Sequence, residues 1–122
     1  MQRLFIYLAL TTTIFSCRSK SEKESLAHGR EIYIANCISC HGDTGSGVPD
    51  KYPSLVKTDR IIAAQTQRAV KLIKYGSGFE NGMRPVALTD KEITEVINYI
   101  QNSWGNKADF IAQSQVKTII NQ

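Results

Sequence analysis

Cys37-Ile38-Ser39-Cys40-His41 decides how the rest of this chain is read. The pattern C-x-x-C-H is the attachment signature of a c-type haem. Two thiols add across the two vinyl groups of the porphyrin and become thioethers. Two intervening residues put the sulfurs about one helical turn apart, close to the separation of the vinyl groups. The histidine that follows is then held beneath the iron as its proximal ligand. Two other readings of the same residues stand beside this one. A redox dithiol usually sits in a βαβ pattern, and no β-period alternation stands out here. A zinc site needs four ligands, and only His28 is left to join the cluster.

A chain of 122 residues has room for one domain and little else. Its 42% hydrophobic content is that of a globular protein. Setting a leader aside leaves roughly 85 residues for the core, which is small. A bound haem would add a large apolar body to it. The formal charge is +4, one unit of which is Arg3 in the presumed leader. Haem propionates would cancel most of the remainder. A near-neutral holoprotein without a basic stripe gives no case for nucleic-acid binding.

Met1-Gln2-Arg3 is a short positive n-region, and Leu4-Phe5-Ile6-Tyr7-Leu8-Ala9-Leu10 is an apolar h-region, continued weakly through Ile14 and Phe15. This is a secretory signal pattern, too short for a membrane span. It ends in Ile14-Phe15-Ser16-Cys17, which resembles a bacterial lipobox, with Phe15 bulkier than the usual residue at −2. The expectation is a lipoprotein signal peptide over residues 1–16, lipid on Cys17, and a lipid-anchored linker over residues 17–24. The mature protein would sit in the bacterial cell envelope, facing the periplasm or the cell exterior. Two or three acyl chains make such anchoring stable. Ordinary cleavage nearby, or an uncleaved N-terminal anchor, are the alternatives. The three cysteines are then accounted for: Cys17 by lipid, Cys37 and Cys40 by haem.

Ser21 and Glu24 match a capping box, with Ser25 as an alternative cap. Leu26, Gly29, Tyr33, Ile34 and Cys37 follow one face of a helix. Gly29 in mid-helix costs about 1 kcal/mol against alanine, and the compensation is close approach of another helix. Residues 42–50 carry three glycines and a proline and form a loop. The lysine-bearing phosphate-loop pattern is absent from it. Tyr52-Pro53-Ser54-Leu55 continues this irregular path. A proximal histidine needs an acceptor for its other ring nitrogen, and the carbonyl of Pro53 is a candidate. Asp59 can cap a helix from Arg60 to Tyr75, with Ile62, Thr66, Ala69, Val70 and Ile73 on its inner face and Gly76 and Gly78 ending it. Thr89 and Glu92 form a second capping box. The helix that follows carries Ile93, Val96, Ile97, Ile100 and Trp104 on one face and stops before Gly105-Asn106. Beyond it, residues 107–122 form a C-terminal extension in which Ser114 could cap a short helix containing Val116, Ile119 and Ile120.

Residues 25–106 resemble a class I cytochrome c of the small bacterial, often lipid-anchored, type. Gly29 and Tyr33 stand where that family places the glycine and aromatic of its first helix. Cys37-x-x-Cys40-His41-Gly42 is its haem motif. Tyr52-Pro53-Ser54-Leu55 looks like the segment whose proline carbonyl receives the proximal histidine. Asn81-Gly82-Met83-Arg84-Pro85 looks like the loop that supplies a distal methionine. The run from Leu88 to Asn106 is similar to the family's last helix and its exit. The chain departs from the pattern twice, in placing Arg84 between Met83 and Pro85 and in running past Asn106. The resemblance implies an all-α cytochrome c fold, with three main helices around one covalently attached haem. The first and last of them would cross near Gly29, with Val96 and Tyr99 packing on Gly29 and Tyr33.

An iron that only carries electrons wants six ligands. The porphyrin gives four and His41 the fifth. Met1 leaves with the leader, so Met83 is the one methionine of the mature chain, in a loop between helices. It is the expected sixth ligand, and thioether ligation raises the potential. His28 lies too close to the proximal side to reach the distal face and is read as exposed. Tyr52, Phe79 and Tyr75 are read as packing near the haem. Lys57, Arg60 and Arg84 are possible propionate partners, though solvated charge is the simpler reading. The function that follows is single-electron transfer, with no enzymatic step and no small-molecule substrate. The partners would be redox proteins: a quinol-oxidising complex as donor and a terminal oxidase or reductase as acceptor. The alternatives are a peroxidase-like or gas-sensing haem module with an open or labile sixth position, and a haem-free CxxC thiol or zinc protein.

Overall fold

A computed structural model of the protein describes residues 18–56 and 62–122. The leader, Cys17, Lys57, Asp59 and Arg60 lie outside the described residues. Five helices follow in order: α1 (Lys20–Asn36), α2 (Ile38–His41), α3 (Ile62–Tyr75), α4 (Asp90–Ile100) and α5 (Gln113–Ile120). Among the described residues there is no strand, only a single antiparallel bridge between Val48 and Tyr52. The fold is all-α, as expected. None of the described helices is long and apolar enough to cross a membrane.

α1 begins two residues before the expected capping box. Ser19-Lys20-Ser21-Glu22 and Ser21-Glu22-Lys23-Glu24 both read S-x-x-E, and the earlier one is used. The Glu22 amide donates to Ser19 Oγ at 3.3 Å, and the Ser19 amide donates to Glu22 Oε2 at 2.9 Å. The earlier start adds Lys20 and Ser21 to the helix, and the Ser21 hydroxyl bonds that of Ser19 at 3.0 Å. Residues 20–24 are therefore the opening of α1.

α1 and α4 cross at Gly29. A Cβ there would run into the Glu95 carbonyl and stand 2.7 Å from Tyr99 Cβ. No side chain larger than hydrogen allows this approach, which is the compensation for a mid-helix glycine. α4 is capped by Thr89 and Glu92 as expected. It ends at Ile100, earlier than its apolar face suggested. Side chains capture the carbonyls that a further turn would use: Asn102 Nδ2 bonds Asn98 O at 3.1 Å, Ser103 Oγ bonds Tyr99 O at 2.6 Å, and Asn106 Nδ2 bonds Ile100 O at 2.8 Å. Local bonds of this kind compete with helix continuation.

Tyr33, Cys37, Val70, Ile73, Ile93, Val96, Ile97 and Val116 form the buried core. Every helix but the short α2 contributes to it, α1 closing with Cys37 at its end. α3 presents Thr66, Val70 and Ile73 inward, the face its spacing predicted. Val116 of α5 makes the C-terminal extension part of the same core. Ser114 is not its cap. Ala112 occupies that position, and Gln115 Oε1 reaches back to accept from the Ala112 amide at 2.7 Å. A glutamine at this spacing satisfies the open amide that a serine would otherwise leave to water.

Candidate haem site

The cysteine-bearing turn starts where α1 fails. The Cys37 amide still donates to Tyr33 O at 2.8 Å, but Cys37 leaves helical geometry at φ −119. One turn then re-forms as α2. The His41 amide donates to Cys37 O at 2.9 Å, and Gly42, at φ +76, stops the turn. Both cysteines sit on or beside this single turn, Cys37 buried and Cys40 half-buried, and they are not disulfide-bonded to each other.

His41 Nδ1 lies 3.0 Å from the carbonyl oxygen of Pro53. A carbonyl can only accept, so Nδ1 carries a proton, which leaves Nε2 as the nitrogen that can ligate a metal. The chain between these groups is folded to bring them together. The Gly47 amide donates to His41 O at 2.9 Å, Val48 and Tyr52 exchange bonds at 2.9 and 2.8 Å, and the Leu55 amide donates to Gly45 O at 2.7 Å. Gly47 sits at φ +68, and a Cβ on it would stand 2.8 Å from Pro53 O. Glycine is required there both for its conformation and for space.

Three aromatic rings underlie this loop. Tyr33, Tyr99 and Trp104 pack in a triangle with centroids 5.1 to 5.7 Å apart. The Tyr33 hydroxyl donates to Gly42 O at 2.6 Å, and Trp104 Nε1 donates to Asp43 O at 3.0 Å. Burial pushes the Tyr33 hydroxyl up to about 12, so it remains a donor. Asn106 Nδ2 donates to Leu55 O at 3.0 Å and ties down the far end of the segment.

Met83 is half-buried and packs against the core cluster that contains Cys37. Its loop leaves α3 at Gly76 and folds back on it. The Ser77 amide donates to Met83 O at 2.8 Å and the Val86 amide to Ile73 O at 2.8 Å. Arg84 is exposed, as is Phe79, while the Tyr75 hydroxyl donates to Ile120 O at 3.0 Å.

The donor set suits a covalently held haem and suits its rivals poorly. Burial pushes the Cys37 thiol up to about 11, whereas redox dithiols work through lowered thiol values. His28, the extra ligand a zinc site would need, lies 3.4 Å from Glu95 Oε1 across the α1–α4 crossing. It stands about 13 Å up α1 from Cys37 at helical rise. A protonated Nδ1 on a fixed carbonyl is the arrangement that orients a metal-binding imidazole and raises its basicity.

Residues 24–100 match the family described as cytochrome c oxidase, cbb3-type, subunit III. The chain is 33% identical over 93 residues to cytochrome c6 of Cyanidioschyzon merolae, covering 75% of this chain and 86% of that protein. The chain belongs to the class I, single-haem cytochromes c. It is also 31% identical over 96 residues to cytochrome c-552 of Thermus thermophilus, covering 66% of this cytochrome and 70% of that one. A third relative is the cytochrome c subunit of a quinone alcohol dehydrogenase from Gluconobacter oxydans, 27% identical over 95 residues and 66% of this chain. This cytochrome spans only 19% of the length of that subunit. The family carries one covalently attached c-type haem, and the donor set above accommodates it. Sequence reasoning marked Tyr33, Trp104 and the Asn106 exit as packing features but missed their hydrogen bonds to the loop. The available signal was the placement of Trp104 directly before Gly105-Asn106, at the exit of the last helix.

Proposed function

We propose that this cytochrome is a single-electron carrier and not a catalyst. Cys37 and Cys40 hold the haem, His41 ligates one face of the iron through Nε2, and Met83 ligates the other. When bound, the haem supplies one-electron exchange between ferric and ferrous iron. The observation that carries the reading is the bond from His41 Nδ1 to Pro53 O, which fixes tautomer and ring together. Met83 adds a soft thioether donor, which favours ferrous iron and raises the potential over a second histidine. Ligands on both faces leave no position for peroxide or a gas and keep the geometry alike in both oxidation states.

The partners in this reading are redox proteins, with a quinol-oxidising complex as donor and a terminal oxidase or reductase as acceptor. Relatives named as cytochrome subunits of quinone alcohol dehydrogenase and fructose dehydrogenase support such partners. Residues 1–16 act as a signal peptide and Cys17 carries lipid, anchoring the protein in the cell envelope on the periplasmic or outer side. Anchoring confines the search for membrane partners to a plane and raises effective concentration.

The optical spectrum of the purified protein tests the core of this. A six-coordinate, low-spin spectrum with a long-wavelength sulfur-to-iron band in the oxidised form is expected. Met83→Ala should keep the haem attached, abolish that band and lower the potential. An unchanged spectrum refutes Met83 as ligand, and a high-spin wild-type spectrum refutes the carrier. Cys17→Ser should move the protein from the membrane to the soluble fraction. Retention after signal processing refutes the lipid anchor.

A further inference from the structure

Electron transfer as described gives residues 107–122 no task, yet they are tightly built into the fold. Val116 is fully buried, and Ile119 and Ile120 pack against the same cluster as Val70 and Ile73 of α3. The tail's start is pinned by Asn98 of α4, which is 3% exposed. The Ile111 amide donates to Asn98 Oδ1 at 2.9 Å, and Asn98 Nδ2 donates to Ile111 O at 3.2 Å. Its far end meets α3, where the hydroxyl of Tyr75 donates to Ile120 O at 3.0 Å.

Tyr75 is the last residue of α3, and the Met83 loop is built on that last turn. A Cβ on the following Gly76 would stand 2.7 Å from Met83 O and 2.8 Å from Pro85 Cδ. The loop's return is fixed by the bond from the Val86 amide to Ile73 O, and its interior by the bond from Ser77 to Met83 O. Within the loop Met83 packs half-buried against the core, while Phe79, at its tip, is 80% exposed. A segment of this kind opens locally, with a free energy set by what anchors it. Here the anchor is the end of a helix, the place where helices fray.

We propose that residues 107–122 brace the Met83 loop: α5 and its bond to Tyr75 hold the last turn of α3, and the loop opens less often as a result. As a statement about the haem, this rests on Met83 being the second axial ligand. As a statement about the loop, it stands on the packing alone.

The test is Tyr75→Phe in the full-length holoprotein, which removes one hydroxyl and keeps the ring. Hydrogen exchange at the Ser77 and Val86 amides reads loop opening directly. Capture of added imidazole by the ferric protein reads release of Met83. Loss of one such hydrogen bond should raise both about two- to tenfold. Exchange at amides of the α1–α4 crossing, such as Val96 and Ile97, should not change. Unchanged exchange at Ser77 and Val86, or an equal rise across the whole chain, overturns the brace. If exchange rises at the loop while imidazole capture does not, the brace stands and the axial role of Met83 falls.

Discussion

Gly47 is the residue through which the proximal geometry can be perturbed without touching a ligand. At φ +68 it occupies left-handed backbone, which costs an alanine about 1–2 kcal/mol. The new methyl would press on the carbonyls of Tyr52 and Pro53, the latter at 2.8 Å. These are backbone atoms and cannot swing aside as a flexible side chain would, so overpacking adds about 1–3 kcal/mol. The cheapest relief is a shift of the Pro53 carbonyl, which lengthens its 3.0 Å bond to His41 Nδ1. The imidazole then becomes a weaker donor and stabilises ferric iron less, so the potential rises. If half to all of a bond worth about 1 kcal/mol differs between the oxidation states, the rise is about 20–40 mV. Spectroelectrochemical titration of the Gly47→Ala holoprotein measures it, with thermal unfolding recorded alongside. A lowered melting temperature with an unchanged or lowered potential would refute the link between Gly47, Pro53 and His41. No change in either would refute the close contact itself.

Two further outcomes follow from the helices. Gly29→Ala gains about 1 kcal/mol of helix propensity but forces α1 and α4 apart at a cost of about 1–3 kcal/mol, for a net loss of up to about 2 kcal/mol; a more stable variant by denaturant unfolding would contradict the crossing. The backbone and side-chain bonds from Thr89 hold the Glu92 carboxyl below the usual glutamate range. Its contribution is therefore present above the unfolded-state value and disappears as pH falls through the lowered folded value. Glu92→Gln should flatten that acid limb of the stability profile, and an unaltered limb would show that the cap carries no such linkage.

Local signals made much of this legible in the sequence. The C-x-x-C-H turn, the Thr89–Glu92 box and the inner face of α3 each depend on residues a few positions apart, and a glycine in the middle of α1 marked the close approach at Gly29. Pro53 was legible because it falls within a dozen residues of His41, in a stretch with free carbonyls. The misreadings have physical causes. Two S-x-x-E boxes overlap at the start of α1, and spacing alone does not rank them. Trp104 shares the apolar face of α4 by count, yet it lies past the helix end, because Asn102, Ser103 and Asn106 engage the carbonyls there. α5 starts at an alanine because a glutamine side chain does the capping from within. The bonds from Tyr33 to Gly42 and from Trp104 to Asp43 join backbone groups to side chains on separate elements, and no periodicity announces them.

The bond from Trp104 to Asp43 spans 61 residues, and that from Asn106 to Leu55 spans 51. The turn that bears His41 is therefore sewn to the chain's last third. Closing loops of this length costs entropy before any contact repays it. The proximal geometry consequently completes late and together with the docking of α4, as one cooperative unit with the global fold. Heat or denaturant should dismantle the bond from His41 to Pro53 only when α4 departs, so the proximal side has no private melting transition of its own.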